Sequence, residues 1–355
     1  MKNRRNRRMG FPAATAHRIS KERHPECMEV VIVCTALTYQ TQDHYFGRTL
    51  DVSAGYQEAV TVVPRHFPLA FRQMGTLGRH YAMVGTAYPA GGYPLYYDAV
   101  NEKGLAMAGL RFSGNACYRP LAPGRDNVTP FELIPWLLGQ CADLRQARCL
   151  LEQINLLALD FSPELPLAPL HWFLADRQGA LAVEPLAEGL RIWEDPAGVL
   201  TNNPPFDFQM RHLARFRHLS RETPENRLAP ELDLVPDSLG TGALGLPGDN
   251  SSPSRFVRAV FARCHAVSGP GEAESVSQVF HILGTVAQVR GCVRAEEGYE
   301  HTLYTACCNL DRGLYYYTTY ENSRLTCVDL RREDLDGERL RVYPLLRQPG
   351  VLFQN

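Results

Sequence analysis

The sequence predicts an α+β layered domain. Strands, two helices, strands, two helices and strands follow one another in blocks, without the strand–helix alternation of βαβ units. Neither an internal repeat nor a low-complexity linker divides residues 34–355, which read as a single domain. Val30 to Val63 holds alternating or continuous apolar and β-branched residues, giving two or three strands that include Glu58 to Val63. Its first two runs, Val33 to Tyr39 and Tyr45 to Asp51, flank polar Gln40 to His44 and read as a hairpin. Tyr81 to Thr86 and Leu95 to Phe112 continue the β pattern through an Asn101-Glu102-Lys103-Gly104 turn, so the first third is expected to form one antiparallel sheet. Thr129-Pro130-Phe131-Glu132 carries a capping residue, proline and an early acid ahead of a helix over Leu133 to Gln140. Ala142 to Leu157 keeps helical spacing through Leu144, Ala147, Leu151 and Ile154. Three strands follow (Leu170 to Asp176, Gly179 to Glu184 and Gly189 to Trp193), closed by Val199 to Pro205. Phe206 to Val235 is an Arg-, His- and Pro-rich excursion with patchy helical character, and Asp237 to Ser254 is a Gly-, Ser- and Pro-rich loop. Helices over Pro253 to Val267 and Ala273 to Val289 lead to a final meander of Leu303 to Leu310, Leu314 to Tyr320 and Leu325 to Leu330.

Composition narrows the function. At 355 residues and 45% hydrophobic content the chain can bury a large core. A formal charge of −1 gives no global attraction to nucleic acid or to an anionic membrane, and no window reaches the ~18 apolar residues of a spanning helix. The ten cysteines lack paired metal-site spacing and read as free thiols of a cytoplasmic protein; His171, His265 and His281 stand isolated. No metal and no cofactor are expected. Gly245 to Asp249 lacks the P-loop pattern and reads as a structural turn.

Chemistry concentrates in the first hairpin. Folding it back would bring Arg48 and Asp51 beside Cys34, where a cation favours a thiolate and a carboxylate orients the base. The basic run Lys2 to Arg8 leads into no apolar stretch, so residues 1–33 read as a disordered extension that is removed or not translated. Were Cys34 the first residue, its own α-amino group, with a free pKa near ~8, would be a base beside the sulfur. Either Val33 marks a bacterial start and is removed, or the chain is cut between Val33 and Cys34.

These residues carry a resemblance. Cys-Thr-Ala-Leu at 34–37, Phe-Gly-Arg-Thr-Leu-Asp at 46–51, Asn-Glu-Lys-Gly-Leu at 101–105, Leu-Thr-Asn-Asn-Pro at 200–204, Gly-Leu-Pro-Gly-Asp at 245–249, Ser-Arg-Phe at 254–256 and Tyr-Tyr-Tyr-Thr-Thr-Tyr-Glu-Asn at 315–322 resemble, in order, the choloylglycine hydrolase family. Its members are bile salt hydrolases and penicillin V acylases. The resemblance implies a four-layer αββα sandwich of two antiparallel sheets and an N-terminal cysteine nucleophile that forms a thioester. It assigns Cys34 as nucleophile, Arg48 to the thiol, Asp51 to the amine, Asn202 to the oxyanion and Arg255 as a second active-site arginine. Losing an oxyanion donor typically costs ~10²–10³ in rate. One position departs: where bile salt hydrolases usually carry asparagine and penicillin acylases often tyrosine, this chain has Arg111. Its backbone N–H keeps the family's second oxyanion donor, while its side chain either pairs with an acidic substrate tail or points to solvent. The implied substrates are glycine- or taurine-conjugated bile salts, with the sterol near Tyr56, Phe67 to Phe71 and Phe131; penicillin V or another N-acyl amide is the alternative. The excursion at 206–235 resembles the family's assembly segment and implies a homotetramer. A further alternative is an inactive binding protein with Cys34 unexposed.

Overall fold

A computed structural model describes residues 32–295 and 298–355; of the extension expected over residues 1–33, residues 1–31 lie outside them, while Ile32 and Val33 belong to the first strand. Among the described residues two antiparallel sheets stack face to face. The first has seven strands, ordered Val199–Leu200, Ile32–Gln40, His44–Val52, Tyr299–Asn309, Leu314–Thr319 and Thr326–Asp329, with Val293–Arg294 on Tyr299–Asn309. The second has nine, running Gly189–Glu194, Gly179–Leu186, Leu170–Asp176, Ala106–Arg111, Asp98–Asn101, Met83–Ala90, Ala59–Val63 and Arg341–Pro344, with Tyr93–Tyr96 on Met83–Ala90.

Period-two alternation divides the apolar residues between two cores. Ala106, Ala108 and Leu110 enter the seam between the sheets, whereas Leu105 and Met107 face helices α1 (Leu133–Gln140) and α2 (Leu144–Leu151). Phe173 and Ala175 divide from Trp172 and Leu174 in the same way. A short helix α3 (Phe206–Leu213) precedes α4 (Ser252–His265) and α5 (Glu272–Gly284), which cover the outer face of the first sheet. The result is an αββα sandwich. Gly47 is required where α5 crosses: a Cβ there would lie 2.9 Å from Leu283 Cδ1 and 3.0 Å from Val279 Cγ1.

Four expectations need correction. The first third is split between the sheets: the hairpin Ile32–Gln40/His44–Val52 belongs to one, and from Ala59–Val63 onward the chain builds the other. The exposed segment Ala54 to Gln57, with Gln57 at φ 71°, carries it across. Thr129 does not cap α1; Glu132 occupies that position and folds its carboxylate back to accept from the Thr129 and Arg72 backbone N–H groups at 3.1 and 2.6 Å. The second helix stops at Leu151, because Ile154–Leu156 pairs in parallel with Asp126–Val128. Its cap is Asp143, which accepts from Gln146 N–H. Finally Phe71 belongs to the core rather than to a sterol-facing loop, meeting Trp136 edge-on at 5.0 Å.

Candidate active site

The hairpin register places each group. Cys34 pairs with Leu50, Ala36 with Arg48 and Val33 with Asp51. Because Arg48 and Asp51 are an odd number apart, they project from opposite faces. Gly47 marks the face toward α5, and Phe46, stacked on Phe173 at 5.7 Å, marks the seam. Arg48 and Cys34 therefore share the seam, and Arg48 Nη2 donates to Cys34 Sγ at 2.7 Å. Asp51 looks the other way, accepting from Thr302 Oγ1 at 2.6 Å and Thr49 Oγ1 at 3.2 Å. The expected triad is one cluster arranged on two sides of a strand.

Asn202 arrives by extension of an edge strand. Val199–Leu200 pairs with Leu37 and Ala36, so two residues further on the chain is level with Cys34. There Asn202 Oδ1 accepts from the Cys34 backbone N–H at 2.9 Å and from Arg255 Nη2 at 2.7 Å. Its Nδ2 donates to the Arg111 carbonyl at 2.9 Å, which fixes the amide orientation and leaves a second N–H of that group for another acceptor. His171, fully buried, backs this strand: its Nε2–H donates to the Thr201 carbonyl at 2.8 Å, and its ring stacks on Phe112 at 4.2 Å. Among the described residues no group of three metal-ligating side chains exists.

Arg255 lies in the first turn of α4 and is buried. Gly245 to Asp249 leads into that helix, and Asp249 secures its start by accepting from Ser251 N–H at 2.9 Å and Ser254 Oγ at 2.6 Å. Arg255 Nη1 donates to the Cys34 carbonyl and to Thr35 Oγ1, both at 2.6 Å. Arg111 ends its strand opposite Leu170, and its Nε donates to Ser113 Oγ.

Burial governs the electrostatics. It pushes the Cys34 thiol up, and Arg48 opposes that rise. Burial also lifts Asp51 to about 6, against the pull of Arg255, Thr302 and Arg48. Glu300, absent from the sequence reading, is buried two residues before Thr302; burial and Asp51 lift its carboxyl to about 7, while Arg255 and Arg111 lower it. Nothing in the local sequence, Tyr299-Glu300-His301-Thr302 after Glu296-Glu297, singled it out. A raised acid pKa favours folding fully only below the unfolded value, near 3.8 for Asp51, and that gain is lost as pH rises through about 6. The unfolding free energy of the parent chain minus that of Asp51→Asn is accordingly expected to fall by up to about 3 kcal/mol between pH 3.5 and 7. Paired urea titrations check this, and a pH-independent difference would contradict it.

The first strand runs through the Val33–Cys34 bond to Ile32, which pairs with Val52. With that bond intact Cys34 nitrogen is an amide donor and cannot accept a proton. What this geometry can do, once the nitrogen is an amine, is set a thiol and a base beside an amide donor and two buried guanidinium groups.

Residues 34–343 match the family described as linear amide C–N hydrolases, choloylglycine hydrolase family. The chain belongs to the choloylglycine hydrolase family. This choloylglycine hydrolase family member is thus a hydrolase of linear amide C–N bonds. It is 49% identical over 314 residues to the "Bile salt hydrolase/transferase" of Lactiplantibacillus plantarum, covering 88% of this chain and 97% of that one. With the protein of the same name from Clostridium perfringens it shares 33% identity, covering 88% and 96%. A solved mutant of the conjugated bile acid hydrolase from Clostridium perfringens superposes with a TM-score of 0.84 at 32% identity, covering 91% of this hydrolase and 100% of that chain. Penicillin V acylase from Agrobacterium tumefaciens shares the fold, with a TM-score of 0.69 at 20% identity, covering 87% and 90%. No described helix of the enzyme is long and apolar enough to cross a membrane.

Proposed function

We propose that this enzyme cleaves the amide joining a bile acid to glycine or taurine, with Cys34 as an N-terminal nucleophile. The observation that carries the reading is the pairing of Arg48 Nη2 with Cys34 Sγ at 2.7 Å beside the oriented Asn202 amide. The 49% identity to a bile salt hydrolase/transferase supports the substrate class.

In this mechanism Cys34 Sγ attacks the substrate carbonyl and its proton passes to the free α-amine, which Asp51 holds. The oxyanion accepts from Asn202 Nδ2–H and the Arg111 backbone N–H. Collapse breaks the C–N bond, the α-ammonium protonates the leaving glycine or taurine nitrogen, and a bile acyl thioester remains on Cys34. Water, deprotonated by the same amine, hydrolyses it. Arg255 holds the Asn202 amide and the Cys34 carbonyl through the cycle.

Assembly as a homotetramer belongs to this reading. The segment after α3 exposes Leu228 and Leu239 at 89% and 93%, together with Leu232, Leu234 and Val235, and a second copy would cover such a surface. The test is release of glycine or taurine from conjugated bile salts by the chain beginning at Cys34, with its mass read by light scattering. Taurine or glycine release from a tetramer is expected. Phenoxyacetate release from penicillin V without bile salt cleavage would make it a penicillin acylase, and no amidase activity would make it a binding protein. A monomeric mass would remove the assembly claim.

A further inference from the structure

Asp98 is a buried carboxylate that the mechanism above does not use. It stands at the start of the Asp98–Asn101 strand in the second sheet, while the groups it meets belong to the first. Tyr315 Oη donates to its Oδ1 at 2.5 Å, Tyr304 Oη donates to its Oδ2, and Arg48 Nη1 lies 3.6 Å from Oδ2. Thr86 Oγ1 bonds Tyr315 Oη at 2.7 Å, closing the cluster from the second sheet. Arg48 Nη1 also donates to the Tyr97 carbonyl at 3.0 Å, and the guanidinium sits 5.8 Å from the centre of the Tyr304 ring. All five side chains (Asp98, Tyr304, Tyr315, Arg48 and Thr86) are buried.

We propose that Asp98, held by Tyr304 and Tyr315, is a positioning residue that aims Arg48 Nη2 at the Cys34 sulfur. The proposal rests on Cys34 being the nucleophile. A guanidinium has five N–H groups in a rigid plane, so fixing the Nη1 edge against a carboxylate and a carbonyl directs the Nη2 edge. Burial raises the Asp98 carboxyl, and Arg48 and the two hydroxyl donors oppose that rise. The tyrosines are driven well above their ordinary values, burial being the main cause, so they remain donors.

Two roles for Asp98 predict opposite signs. As a counter-charge alone, its loss would leave Arg48 less neutralised and lower the pH midpoint for Cys34 ionisation. As a positioning residue, its loss lets Arg48 swing away and raises that midpoint. The experiment uses the enzyme beginning at Cys34 and running to Asn355, with iodoacetamide labelling of Cys34 followed by peptide mass across pH, alongside kcat and KM for a conjugated bile salt. Asp98→Asn is expected to raise the labelling midpoint by about one pH unit. It should lower kcat roughly 10–100-fold with KM within about twofold, the range seen when an outer partner of a reactive group is lost. Tyr315→Phe leaves both charges in place and should act in the same direction with smaller size; it decides the matter where Asp98→Asn does not fold. A folded variant whose midpoint is unchanged or lowered overturns the proposal, even with kcat reduced. Failure of the underlying reading looks different: a parent enzyme unlabelled at Cys34, or a Cys34→Ser variant with full turnover.

Discussion

Alanine at Cys34 is expected to lower kcat by roughly 10⁴-fold or more, the scale on which removing a nucleophile acts. The fold should survive, since the lost group is one small side chain in the seam. Its removal leaves a buried Arg48 N–H without its sulfur acceptor, a cost of about 1–3 kcal/mol. A companion chain that keeps Val33 should be equally inactive with every side chain intact. Its Cys34 nitrogen is an amide whose lone pair is delocalised and whose N–H is committed to Asn202 Oδ1 at 2.9 Å. Turnover by the two chains, with intact mass to confirm where each begins, checks both arms. Full activity with Val33 attached would remove the α-amine from the mechanism.

Alanine at Arg255 should act on stability and rate together. Its side chain donates to Cys34 and Asn250 carbonyls, to Thr35 Oγ1 and to Asn202 Oδ1, and its charge lowers the pKa values of Asp51 and Glu300. Without it those buried carboxylates lose a nearby cation and its buried acceptors lose their donor, which costs about 1–3 kcal/mol for each one left unsatisfied. The Asn202 amide also loses a donor that orients it, so kcat should fall by about 10²-fold. Lysine is not expected to rescue, because one ammonium cannot reproduce the fork that spans strand, loop and asparagine. Urea midpoints and kcat for the alanine and lysine variants test this; parent-like stability in either would contradict it.

The hairpin was legible because two alternating runs flank a polar break, and its register then dictates which groups meet. Pairing between distant strands was not, since β pattern marks a strand without naming its neighbour. That is why the chain from Ala59 was assigned to the wrong sheet. Ile154 and Leu156 satisfy both a helical stripe and an alternating strand, so the helix over 142–157 was drawn too long. Cys34, Arg48 and Asp51 stood out from chemistry in one short span. Asn202 and Arg255 are single polar residues far along the chain and entered only through the family resemblance. Asp98, Glu300, Thr302 and His171 were passed over or read as isolated, because their meaning depends on sheets and helices packed against them.

The connection at Thr41 to Asp43 sits roughly 20 Å from Cys34 along strands rising about 3.4 Å per residue, and no reacting group lies in it. It nevertheless acts as the ruler of the site. One residue added or lost there would slide one strand past the other, turning either Cys34 or Arg48 out of their common seam. Insertions in this turn, where only Gln42 is exposed, should therefore be tolerated poorly for activity even where they fold. Its length, rather than its composition, sets that register.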